Sequence, residues 1–186
     1  MVALAQLWIP ILASALAVFV LSSLIHMVVK WHQPDYLRLA NEDEVRAALQ
    51  KSQPPPGQYI VPYCPDAKLM QTAEFRQKYI DGPVGFVMLR ARGLPSMGPM
   101  LGLWFAFNAA ISLFAGYVSS HALPSGAPAM AVLRIASTVA FLGYAGGAVP
   151  NGIWMGKPWR SVAKELLDAL IYALATGAVF GWFWPR

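Results

Sequence analysis

Charge in this chain is confined almost entirely to one stretch, and that confinement limits what it can fold into. Of its 23 Lys, Arg, Asp and Glu residues, 16 lie between Lys30 and Arg92. None separates Met1 from Lys30, and only seven are spread from Gly93 to Arg186. Long uncharged apolar stretches are driven out of water. In hydrocarbon they must also pair every backbone N–H and C=O internally, which for a single segment means an α-helix.

Four such stretches are long enough to cross a bilayer. The first runs from about Leu7 to Val29, with Pro10 in its first turns, where proline is tolerated. The others cover about 97–120, 129–149 and 163–184. The 22 residues of the last rise about 33 Å, enough for a hydrocarbon core of ~30 Å. Trp8, Trp31, Tyr117, Trp154, Trp159, Trp182 and Trp184 fall near the proposed ends, the depth that amphipathic rings prefer. The first stretch has no basic leader and exceeds the apolar core of about 7–15 residues in a secretory signal, so it is expected to be retained. Composition agrees: 57% of residues are apolar and 12% charged, where soluble proteins carry about 25% charge.

The basic residues predict orientation. Nine lie in 30–96, and Lys157, Arg160 and Lys164 gather at the connection before the fourth stretch, whereas the opposite side receives only Arg186. This bias predicts a bacterial-type inner (plasma) membrane protein with both termini outside and residues 30–96 cytoplasmic. The net charge of +5 does not indicate nucleic acid, because the basic residues are interspersed with acids and form no run.

Residues 30–96 read as a small folded segment. Asn41 is a good N-cap, with Glu42, Asp43 and Glu44 in the first turn, where the helix dipole favours negative charge. Val45, Ala48 and Leu49 follow on one face, and the run from Pro54 to Gly57 stops the helix. Gln58–Val61 and Val84–Leu89 read as strands, Lys68–Ile80 as a helix, and Asp81-Gly82-Pro83 as a turn. The expected fold is an all-α integral membrane protein of four transmembrane helices, with a small α/β cytoplasmic segment between the first two. The divisions are a first helix within 1–29, the segment 30–96, and a three-helix region over 97–186.

Three glycine pairs have the G-x-x-x-G spacing that lets helices approach closely: Gly98 and Gly102, Gly143 and Gly147, Gly177 and Gly181. They predict tight packing, within one chain or between chains.

Ionisable residues inside apolar spans matter more individually, because a charge at mid-bilayer costs about 2.5–3.5 kcal/mol. Arg134 and Asp168 are such residues, but they enter from opposite sides, roughly 15–18 Å apart in depth, and are not expected to pair. Arg134 either snorkels to headgroups or marks an anion or lipid-headgroup site. Asp168 shares a helical face with Lys164, Glu165, Tyr172 and Thr176. One reading is an interfacial Lys164–Asp168 pair. The other is a protonatable carboxylate at the mouth of a polar path.

Weaker polar seams run through the first span (Ser14, Ser22, His26) and the second (Asn108, Ser112, Gly116, Ser120). Interhelical hydrogen bonds account for both, at about 1 kcal/mol each. His26 has no companion at ligand spacing, with His32 and His121 the only other histidines, so neither metal nor cofactor is predicted. Cys64 has no second cysteine and no neighbouring base, and reads as a small core residue. Met97 and Met100 at a span boundary read as lipid-facing or core rather than as copper ligands. No Walker A, H-E-x-x-H, G-x-S-x-G or zinc spacing occurs. The function expected is therefore non-enzymatic: a homo-oligomer, or an accessory subunit of a larger membrane complex, with the bilayer and other membrane subunits as its partners. The alternative is a small oligomeric channel or transporter for protons or small ions, with Asp168, Asn108, His26 and Arg134 along its path.

Overall fold

Pro150 and its preceding glycines decide the shape of the third apolar stretch. A proline ring clashes with the carbonyl four residues earlier, here Gly146, and Gly146 and Gly147 give the chain freedom to turn. In the computed structural model, which describes residues 2–186, helix α5 (Ala129–Ala145) accordingly ends there and α6 (Ala148–Met155) begins. The other long helices are unbroken: α1 (Trp8–Leu24), α4 (Met97–Ala122) and α7 (Trp159–Trp182). A 3-10 turn, Leu4–Leu7, leads into α1, and a π-helical turn, Ile25–Val29, leaves it. That turn closes with Lys30 N–H donating to the Ile25 carbonyl at 2.8 Å and Lys30 in the left-handed region at φ 56°.

Among the described residues three helical stretches are long and apolar enough to cross a membrane: Leu4–Val29, Met97–Ala122 and Ala129–Met155. The fourth, α7, is equally continuous but carries Arg160, Lys164, Glu165 and Asp168 in its first ten residues. These helices, with Val2–Tyr36 and Ser96–Arg186 as their chain segments, form one compact unit.

The interior of that unit mixes small and polar residues with a few large apolar ones such as Leu7, Val18 and Phe180, and large apolar side chains line its outside. Ser14, Ala15, Ser112, Ala115, Ala136, Ala140, Ala173 and Thr176 are buried, whereas Trp8, Leu12, Leu16, Val20 and Leu24 form an exposed stripe at four-residue spacing along α1. Such an arrangement suits close helix approach. At Gly177 a Cβ would overlap the Ser137 side chain and the Leu133 carbonyl, and at Gly181 it would press on the Ala129 carbonyl, so α5 and α7 touch backbone to backbone. At the far end, Val2 N–H donates to the Ser120 carbonyl at 3.4 Å, and the Trp184 indole N–H donates to the Pro124 carbonyl at 3.0 Å. Gly126 N–H donates to the Pro185 carbonyl at 2.9 Å.

The second unit, Leu37–Pro95, is a separate small α/β fold. Strands β1 (Gly57–Val61) and β2 (Gly85–Leu89) pair antiparallel with Tyr59 opposite Val87. Helix α2 (Glu42–Ser52) precedes them and α3 (Ala73–Asp81) lies between them in sequence. The Asn41 side chain does not cap α2 by accepting a backbone N–H; its amide donates instead to Glu44 Oε2 at 3.4 Å. Thr72 caps α3, its hydroxyl accepting from Phe75 N–H at 3.3 Å. Among the described residues of this unit only Phe75 is fully buried, a small core for some sixty residues. The boundary lies further along the chain than the charge distribution suggests: Lys30–Tyr36 belongs with the helices, and it brings the side chains of His32 and Asp35 with it.

Candidate functional site

The end of α1, the segment after it and the first turns of α7 converge on Asp168. The π-helical turn directs His26 out of α1, and the 3-10 turn Gln33–Asp35, set by Pro34, directs His32 and Asp35 back toward α7. The His26 and His32 rings stack at 5.1 Å between centroids and 13° between planes. His32 Nε2 lies 2.7 Å from Asp168 Oδ2, and His32 Nδ1 lies 3.3 Å from Asp35 Oδ2. Lys164 Nζ donates to Asp35 Oδ1 at 2.6 Å and to the Trp31 carbonyl at 2.6 Å.

Proton positions follow from these partners. His26 Nδ1 faces the Ser22 carbonyl at 2.9 Å, so that nitrogen carries a proton. His32 faces a carboxylate through each nitrogen. One proton must lie on the 2.7 Å line between Nε2 and Asp168, held by the ring or by the carboxyl. The Lys164 ammonium bonded to Asp35 holds that carboxyl below its ordinary value of 3.8 against the opposing effect of desolvation, and His32 adds to the lowering.

Asp168 is buried at 5% exposure, yet its Oδ1 has no hydrogen-bond partner among the described residues. Deeper along the bundle the Tyr172 hydroxyl and both polar atoms of the Asn108 side chain are also buried without a partner among the described residues, while the Tyr144 hydroxyl faces that of Thr176. Tyr144 and Tyr172 are in ring contact at 5.5 Å, and Trp104, one turn before Asn108, contacts Tyr172 at 6.3 Å. Further on, Ser14 and Ser112 hydrogen-bond across α1 and α4 at 2.9 Å. Buried polar groups are nearly always paired, so a row of unpaired ones marks a place where water or a ligand belongs. A cavity of about 290 Å³ opens onto the row, lined by His26, Trp104, Tyr144, Glu165, Asp168 and Tyr172.

The residues singled out from sequence separate into three groups. His26, Glu165, Asp168 and Tyr172 meet around this cavity, with Glu165 held by Lys157. Asn108 lies on the polar row. Arg134 is exposed on the opposite half of the bundle, in the second turn of α5, and takes no part in the cluster. Two expectations are corrected. Lys164 pairs with Asp35 and not with Asp168, because the segment after α1 offers it a carboxylate and a carbonyl together. His26 does have a companion, since His32 folds back onto it although six residues separate them. His32 and Asp35 went unrecognised as site residues because they lie outside the apolar span; the only signal was the H-x-P-D spacing just beyond it. Cys64 is half-buried in the other unit, where its thiol donates to the Asp66 carbonyl at 3.1 Å. Compared with known protein families, curated proteins and solved structures, the chain matches none.

Proposed function

We propose that this chain is a multi-pass membrane protein of four spanning helices that carries protons, with the His32–Asp168 pair as the entry to a path through the bundle. One observation carries the reading: a buried carboxylate sharing a proton with an imidazole stands at the foot of a row of buried, unpartnered hydroxyl and amide groups. Ionisable groups in such a setting are costly and usually functional. From Asp168 to Thr176 the row rises about 12 Å along α7, and the Asn108–Ser112 face of α4 and Ser14 extend it. Proton transfer along hydroxyls and intervening water needs no open pore, so one bundle suffices. In this reading the His32–Asp168 end faces the cytoplasm across an inner membrane and both termini lie outside, an orientation that the basic bias favours.

The test is acidification of vesicles reconstituted with the full chain and loaded with a pH-sensitive dye. Wild type and Cys64→Ala should carry protons under an imposed potential. Asp168→Asn keeps the shape but loses the titrating group, and should reduce the flux at least tenfold. Wild-type vesicles no leakier than protein-free ones would sink the reading.

A second reading, association with like or unlike membrane subunits, is favoured by Gly98 and Gly102. Both are exposed, and a Cβ at either would meet nothing within 4 Å among the described residues, so this flat face is open to a partner. Mass measurement in mild detergent tests it: a particle well above 20.3 kDa is expected, and a monodisperse monomer counts against it.

A further inference from the structure

We propose that His26, His32 and Asp168 form a binding site for a first-row divalent transition metal of the zinc type, closed on three sides by protein and open on the fourth to the cavity. The site goes beyond the proton reading and does not depend on it, since binding requires no transport. One ligand atom from each of the three residues lies within 4.8 Å of the other two. Tetrahedral zinc with bonds of about 2.0–2.1 Å needs its donors roughly 3.4 Å apart, so the three side chains must draw together when the ion binds.

The donor set and its supports fit such an ion. Two imidazoles and one carboxylate are borderline donors that favour zinc or ferrous iron over magnesium or calcium. Each histidine is held through Nδ1, His26 by the Ser22 carbonyl and His32 by Asp35, which directs the Nε2 lone pairs to other uses. Asp35 is in turn fixed by Lys164, giving the carboxylate–histidine relay that orients metal-ligating imidazoles. The unpartnered Oδ1 gives Asp168 an oxygen free for a metal while Oδ2 still faces His32. Three protein donors with an open fourth position is the pattern of sites that bind water or an exchangeable ligand. The π-helical turn presenting His26 is a feature that recurs at functional sites. In the metal-free state the shared proton occupies a donor position that the ion needs, on His32 Nε2 or on the Asp168 carboxyl. Binding M2+ therefore forms bonds to Nε2 and to the carboxylate and releases that proton to the medium.

The test is zinc titration of the full chain, purified in mild detergent without a polyhistidine tag and stripped with chelator. Calorimetry should give about one ion and about one released proton per chain. Cobalt(II) should give the intense visible bands of a four- or five-coordinate site. His32→Ala and Asp168→Asn should weaken zinc by more than 100-fold, and Asp35→Asn by about 10–100-fold through the loss of its hold on His32. His121→Ala and Cys64→Ala should bind as wild type. Should the buried-site variants misfold, His26→Gln decides, because His26 is the exposed member of the three. Undiminished binding by His26→Gln, the absence of saturable binding in wild type, or loss of binding in His121→Ala would each overturn the proposal. Zinc binding without proton flux would leave this site standing and remove the reading above; flux without zinc binding would do the reverse.

Discussion

Lys164 ties the segment after α1 to α7, and it does so through one ammonium shared between the Asp35 carboxylate and the Trp31 carbonyl. Helical spacing alone favours a Lys164–Asp168 pair. Tertiary structure offers the longer side chain two acceptors elsewhere and leaves Asp168 to His32, a choice that no local rule ranks. The Asp35 carboxyl is held below 3.8 chiefly by the hydrogen bond from Lys164. A lowered acid adds stability that is complete above its unfolded value and lost as pH falls through the lower folded one. The tie should therefore be intact at neutral and mildly acidic pH and fail only below the ordinary aspartate range. Thermal unfolding in detergent checks this. Asp35→Asn should unfold at a lower temperature than wild type at neutral pH, and the two should converge only in strong acid. Equal midpoints at neutral pH would show that Asp35 is not holding the segment.

The elements were legible where a local pattern sufficed. Uncharged length marked α1, α4 and α5, the run from Pro54 to Gly57 marked the end of α2, and short apolar runs, the second preceded by the Asp81-Gly82-Pro83 turn, marked the strand pair. What the pattern could not assign was the partner of each small-residue face. Gly177 and Gly181 meet α5 backbone, Gly143 meets Ile111, and Gly98 and Gly102 meet nothing, although all three pairs share one spacing. Spacing describes the flatness of a helix face and carries no information about which helix comes to it. This difference predicts opposite outcomes for the same substitution. Gly177→Leu must displace Ser137 and the Leu133 carbonyl, an overpacking that costs about 1–3 kcal/mol or more, read as a lower unfolding midpoint in detergent. Gly98→Leu and Gly102→Leu enter open space and should leave monomer stability within about 0.5 kcal/mol. If the bare face seats another subunit, those same two changes should lower the particle mass while the midpoint stays put.

On the scale of the whole molecule, the question is whether α7 crosses the bilayer with the three more apolar stretches. Its charged first turns set it apart by composition, but its packing does not. It runs beside α5 in backbone contact near Gly177 and Gly181, and it ends where Trp184 and Pro185 bond the connection between α4 and α5. A helix of 24 residues rises about 36 Å, so the first turn can sit in the headgroup layer and the remainder still spans a ~30 Å core. If α4 and α5 cross, a crossing α7 is expected, because it runs beside α5 and its last residues bond the connection between the two. Labelling by a membrane-impermeant maleimide in intact cells tests this in a Cys64→Ala background. Ser125→Cys and Arg186→Cys should react from one side of the membrane, and Lys51→Cys only after the membrane is opened. Labelling of Arg186→Cys together with Lys51→Cys would mean that α7 does not cross. Asp168 would then lie at a membrane surface, where a buried proton path has no second end.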